Sequence, residues 1–219
     1  MATRLANWTA AMETLERGDT EVARAALHIW GERGDPFAQF NLGKMYQRGQ
    51  GVDRSVTEAV KWYAKAVRQR EPGAMINLGL MYRLGDGVPK NFLEAAHLFR
   101  LAARYGDHLG SVYLGIMHEK GEGPFRNYET AIQYFQTAAR RGEVLGMYHL
   151  ARMHEEGRGT LPNMTTALDL YRQAAEKGHD PSLMIIQAFG VSSLSSTTAS
   201  TTAQLPSRRT EIPIRYDGT

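Results

Sequence analysis

The chain has 219 residues, 42% hydrophobic and 22% charged, with a formal charge of +3 and no cysteine. This is the composition of a folded chain in contact with water; the missing cysteine excludes disulfides and thiolate chemistry. No run approaches the ~18 uninterrupted apolar residues of a membrane-spanning helix, and residues 1–7 lack the apolar core of a secretory signal, so a cytoplasmic location is expected.

Residues 5–33 read as a degenerate helix pair around a short turn, Arg17-Gly18-Asp19. Ala23, Leu27 and Gly34 fall one period before Ala59, Tyr63 and Arg70. A 36-residue unit then recurs over 36–70, 72–106, 108–142 and 144–178. Leu42, Leu78, Leu114 and Leu150 fall in step, followed by Met45, Met81, Met117 and Met153. Gly43, Gly79 and Gly115 align, with Ala151 in the fourth copy. Glycine inside a helix costs roughly 1 kcal/mol against alanine, so its recurrence predicts close helix contact. The second half of each unit repeats Ala59, Ala95, Ala131 and Ala167, then Tyr63, Phe99, Phe135 and Tyr171, then Ala66, Ala102, Ala138 and Ala174.

Each unit predicts two helices. The first begins near Pro36, Pro72, His108 or Val144 and ends at a paired-glycine loop such as Gly85 with Gly87. The second opens at Ser55, Asn91, Asn127 or Asn163, all good N-cap residues. Ser55 with Glu58 and Asn91 with Glu94 have capping-box spacing. It stops at Arg70, Gly106, Gly142 or Gly178. Residues 180–189 predict a last unpaired helix. Residues 191–204 are mostly Ser, Thr and Ala, which predicts a flexible tail over 191–219. The tail carries a short apolar-basic segment, Glu211 to Tyr216.

No chemical motif accompanies the repeat. His118-Glu119 and His154-Glu155 suggest metal ligands, but both histidines occupy the repeat's tyrosine position, and no H-E-x-x-H spacing completes a zinc site. The glycine pairs lack the lysine and the strand context of phosphate loops, and no serine-nucleophile motif is present. The expectation is therefore no enzyme, no catalytic residue, no cofactor and no metal. Lys44, Arg48, Arg83 and Arg152 lie on first helices and raise a basic-surface alternative, nucleic acid or another anionic ligand. Glu119, Glu155 and Glu156 dilute that charge, which makes nucleic acid the weaker reading.

The pattern A-x-x-x-L-G-x-M-Y-x-x-G-x-G-V…A-x-x-x-Y/F-x-x-A-A-x-x-G resembles the Sel-one-like repeat family, relatives of the tetratricopeptide repeat. Ala74, Leu78, Gly79, Tyr82, Gly85, Gly87, Val88, Ala95, Phe99, Ala102, Ala103 and Gly106 carry it most completely. Departures are His118 and His154 in place of tyrosine and Pro124 after Gly123. The resemblance implies an all-α, right-handed α/α solenoid with capping helices at both ends. It also implies an adaptor or scaffold in bacterial signalling or assembly, with another protein or peptide as partner. By analogy with tetratricopeptide repeats, first-helix residues two before and two after the leucine face the concave side. These are Phe40, Ile76, Val112 and Tyr148, with Lys44, Leu80, Ile116 and Arg152. Phe37, Leu109 and Leu145 lie one turn earlier, and Arg83 adds a cation near the helix end. An apolar stripe with a charged rim suits a peptide. The tail segment 211–216, on a linker of roughly 20 residues, would reach the stripe of its own chain or a neighbour's. The loops 49–52 and 85–88 are the next candidate surface.

Overall fold

The computed structural model describes residues 20–123 and 126–189, and among them every regular element is a helix. The expected first helix of the N-terminal pair, its turn at residues 17–19 and the tail 191–219 lie outside the described residues. The helices are α1 (Thr20–Glu32), α2 (Pro36–Arg48), α3 (Val56–Arg68), α4 (Pro72–Leu84) and α5 (Phe92–Arg104). They continue with α6 (Leu109–Lys120), α7 (Tyr128–Arg140), α8 (Val144–Glu156), α9 (Met164–Glu176) and α10 (Asp180–Ala188). Every helix packs on the next in sequence, and α2 also meets α4, as α6 meets α8. The result is a helical-repeat solenoid in which even-numbered first helices alternate with odd-numbered second helices.

Sequence punctuation places the helix ends. The first helices end at Gly49, Gly85, Gly121 and Gly157, all in the left-handed region, each donating its N–H to the carbonyl of the repeat's methionine. Arg70 takes the same positive φ that Gly106, Gly142 and Gly178 adopt after the other second helices. The second helices open on the expected caps. Asn91 Oδ1 accepts from the N–H groups of Leu93 and Glu94, at 3.1 Å each. Asn127 accepts from Thr130 at 2.8 Å and Asn163 from Thr166 at 3.0 Å.

The capping boxes are only half used. The N–H of Ser55 donates to the Tyr46 carbonyl at 2.9 Å, and that of Asn91 to the Tyr82 carbonyl at 2.8 Å. Asn127 and Asn163 make the same bond to the carbonyls of His118 and His154. The N–H that Glu58 or Glu94 would satisfy is thus already taken by the end of the preceding helix. This bond ties the two helices of a pair together across the glycine loop.

Inside each pair the first helix presses its glycine against an aromatic ring of the second. A Cβ at Gly79 would sit 2.7 Å from the Phe99 ring, and one at Gly43 or Gly115 would sit 2.5 Å from Tyr63 or Phe135. Those rings, and the alanines one turn on either side of them, are fully buried. The leucine and methionine columns fill the space beside them. Two outcomes are expected in urea unfolding. Gly79→Ala costs about 1–3 kcal/mol by overpacking the ring, and Asn91→Ala about 0.5–2 kcal/mol by removing the cap.

Candidate functional site

The stripe read from the sequence divides in two. Phe37 is 41% exposed, and Phe40, Lys44, Leu109, Leu145, Tyr148 and Arg152 are half-buried. Ile76, Leu80, Val112 and Ile116 instead lie in the core, at most 7% exposed. The expectation that Ile76, Val112 and Ile116 face a ligand is corrected, whereas Leu80, although buried, borders the cleft at the first repeat junction. In the central repeats those positions are enclosed by the flanking repeats, so their apolar side chains are used in stacking. Phe40 and Tyr148, in the outer copies, keep part of their surface.

Arg83 is also buried, because it belongs to a bridge between repeats. Its guanidinium, on α4, holds the Glu122 carboxylate in the loop after α6, with Nη2 donating to Oε1 at 3.0 Å. One period later the same bridge recurs with its charges exchanged. Glu119 on α6 takes Arg83's place, Arg158 takes that of Glu122, and Arg158 Nη1 donates to Glu119 Oε1 at 3.1 Å. Arg152 pairs with Glu156 at 3.0 Å, and Glu156 also holds Arg158. Two of the four cations of the basic-surface reading, Arg83 and Arg152, therefore face carboxylates.

The first junction is open. A cleft of about 220 Å³ lies there, lined by Lys44, Gln47, Arg48, Asn77, Leu80, Met81, Leu84 and Asp86. Leu84, at the end of α4, is 58% exposed. The Asn77 amide donates to the Tyr63 oxygen at 3.0 Å, and the Tyr63 hydroxyl donates to Gln47 Oε1 at 2.8 Å. Burial and the neighbouring Arg48 charge push the Lys44 amine below the usual lysine range. Sequence reading found Lys44 and Arg48 but not Asn77, Leu84 or Asp86 as one lining. Asp86 lies within the loop 85–88 named as a secondary surface.

The histidines take structural places. His118 stacks on Tyr134, 5.7 Å between centroids, and burial followed by the Arg100 charge lowers its pKa. His149 stacks on Phe135 at 4.9 Å, as Tyr113 does on Phe99 one repeat earlier. Burial, followed by the Arg152 charge, pushes His149 down to about 3, so the ring is neutral at ordinary pH. Its Nε2 and the Nδ1 of His154 are buried without a hydrogen-bond partner. Among the described residues no three His, Asp or Glu side chains cluster as a metal site would need.

A further column escaped the sequence reading. Asp35, Glu71, Asp107 and Glu143 recur every 36 residues just before the first helices. Asp35 accepts from the Ala38 N–H at 2.9 Å, Glu71 from Gly73 at 3.3 Å and Asp107 from Leu109 at 3.1 Å. The signal was available in the same register that revealed Asn91, Asn127 and Asn163. Burial raises the pKa of Glu71, Asp107 and Glu143; the Asp107 charge adds to the shift at Glu71 and Glu143. A carboxyl whose folded pKa is raised favours the folded chain fully below its unfolded pKa, and that contribution is lost as pH rises through the folded value. Glu143→Gln removes one such group. The stability advantage of the parent over this variant is expected to grow as pH falls from about 7 to about 4, followed by urea midpoints. A difference constant over that range contradicts the assignment.

The fold and its inter-repeat bridges define a helical-repeat scaffold. Residues 36–70, 72–107, 110–143 and 144–179 match the family model described as Sel1 repeat, and the chain belongs to that family, whose members are generally protein-interaction scaffolds. A Sel1 repeat protein from Oxalobacter formigenes is 30% identical, over 84% of this chain and 76% of that one, with a TM-score of 0.77. The c5321 protein, a protective antigen of uropathogenic Escherichia coli strains with an SLR fold, is 30% identical over 87% of this chain, at TM-score 0.68. This chain spans 43% of the length of c5321. The immunity protein PA5088 from Pseudomonas aeruginosa shares the fold at TM-score 0.57 and 20% identity, over 80% of this chain and 68% of that one. No curated protein matches the chain in sequence. No helix among the described residues is long and apolar enough to cross a membrane.

Proposed function

We propose that the chain is a scaffold that binds a peptide segment of a partner protein along the exposed edge of its first helices. The observation that carries this reading is the open cleft at the first repeat junction, lined by the exposed Leu84 and by Lys44, whose amine lies 5.5 Å from the half-buried Phe40 ring. An apolar surface beside charged and amide groups is the chemistry that holds an extended or helical peptide. The core position of Ile76, Val112 and Ile116 narrows the binding edge to Phe37, Phe40, Lys44 and Leu84, with Leu80 at the floor of the cleft and Leu109, Tyr148 and Arg152 beyond them. A bacterial assembly or signalling complex is the setting that the family suggests. The pairing of Arg83 with Glu122 and of Arg152 with Glu156 favours a protein partner over nucleic acid, since a phosphate would have to displace those carboxylates.

Crosslinking of the full chain to its partners in a native extract, read by mass spectrometry, tests this. Leu84→Asp is expected to remove the partner while leaving the far-ultraviolet helical signal unchanged. Leu93→Asp, at a residue 72% exposed on a second helix, is expected to leave the partner bound. Loss with Leu93→Asp and retention with Leu84→Asp would place the working surface on the second-helix side.

A further inference from the structure

The first repeat junction is built differently from the two that follow it. Gln47 and Asp86 stand one period before Arg83 and Glu122, and two before Glu119 and Arg158. A carboxamide and a carboxylate cannot form the ion pair that bridges the later junctions. Asn77 stands one period before Tyr113 and two before His149, whose rings stack on Phe99 and Phe135 at 4.9 Å each. The small Asn77 side chain cannot fill that space and only hydrogen-bonds Tyr63. The volume taken up elsewhere by a ring and a bridge is therefore left as the cleft.

The groups around this space have a definite preference. Lys44 and Arg48 stand one helical turn apart on α2, and Asp86 is the one carboxylate in the cleft lining. The Lys44 amine lies 5.5 Å from the centre of the Phe40 ring and is half-buried. Among the described residues no carboxylate lies within ion-pair distance of it. Partial burial and the neighbouring Arg48 charge both lower its pKa, so a counter-charge placed beside it would be favourable. Gln47 has its oxygen on the Tyr63 hydroxyl, so its amide nitrogen is the group left to donate. A lysine and two carboxamides suit a planar anion with several acceptor positions. The exposed Leu84 beside them suits an aliphatic group.

We propose that the first repeat junction binds an Asp or Glu side chain of the partner peptide, its carboxylate held by Lys44 with the Gln47 and Asn77 amides and its aliphatic neighbour packed on Leu84. This rests on the reading of the first-helix edge as the peptide-binding surface and gives that surface its specificity. Asp86 acts as the opposing charge, which disfavours a partner carrying several clustered acids.

The test is selection of short random peptides on the full chain, repeated on Lys44→Met, Asp86→Asn and Leu84→Asp, with circular dichroism confirming the fold of each. Lys44→Met keeps the aliphatic stem and removes only the charge. Peptides enriched on the parent are expected to carry Asp or Glu beside Leu, Ile or Met. They are expected to bind Lys44→Met about tenfold more weakly and Asp86→Asn more tightly than the parent. Enriched peptides that lack an acid, or that bind Lys44→Met as well as the parent, overturn the carboxylate assignment. If those same peptides are lost on Leu84→Asp, the edge reading survives without it. Peptides indifferent to all three substitutions, or no enrichment at all, overturn both.

Discussion

The contact between a first-helix glycine and the aromatic ring of the second helix sets the geometry of the molecule. Gly43, Gly79 and Gly115 bring their helix so close to Tyr63, Phe99 and Phe135 that a methyl group would overlap the ring. Once that distance is set, the leucine and methionine columns have one place to go, beside the rings and between successive pairs. The fourth copy has Ala151 where the others have glycine, and Tyr171 still packs fully buried there. The contact is therefore adjustable by about one methyl group at the end of the array. In the interior, repeats lie on both sides and leave less room to shift.

Stacking uses most of what looks available in a single repeat. A first helix seen alone shows the helical face of Ile76 and Leu80 as an open apolar strip, but the neighbouring repeats cover it except where Leu80 borders the cleft. A solenoid binds with the remainder, the side chains that neither the pair nor the next repeat consumes. Here that remainder is uneven: rings and ion pairs occupy the later junctions, and a cleft lies at the first. A ligand site can thus arise in a repeat protein from what one junction leaves out, without any added element.

The helices, their caps and their buried columns were legible because each depends on one residue type recurring at one spacing. Asn91 and Leu78 announce themselves by repetition. The acidic residues from Asp35 to Glu143 that precede the first helices obey the same rule and alternate only between Asp and Glu. The bridges were hidden for a physical reason. Arg83 meets a residue 39 positions away, one period plus three, and the next bridge reverses the charges. Complementary charges produce no identity at 36 residues, so the register that exposes the core conceals what joins the repeats. The same limit misplaced Ile76, Val112 and Ile116. Their variation between copies looks like adaptation to a ligand, whereas each fits a different neighbouring surface. The cleft was half legible: Lys44 sits on the visible stripe, while Asn77 and Asp86 matter only for what they fail to fill.

The exchanged charges of the two bridges also make the order of the repeats non-interchangeable. Tandem repeats in genes tend to lose or gain whole units by unequal recombination, and the helical register alone would tolerate such an event. Excision of residues 108–143 would preserve every glycine, leucine and cap position while bringing Arg83 opposite Arg158. Two guanidinium groups would then share a site that is now nearly closed to water on the Arg83 side. The alternation of sign along the array thus acts as an address for each unit, penalising a shortened chain that the apolar core by itself would accept.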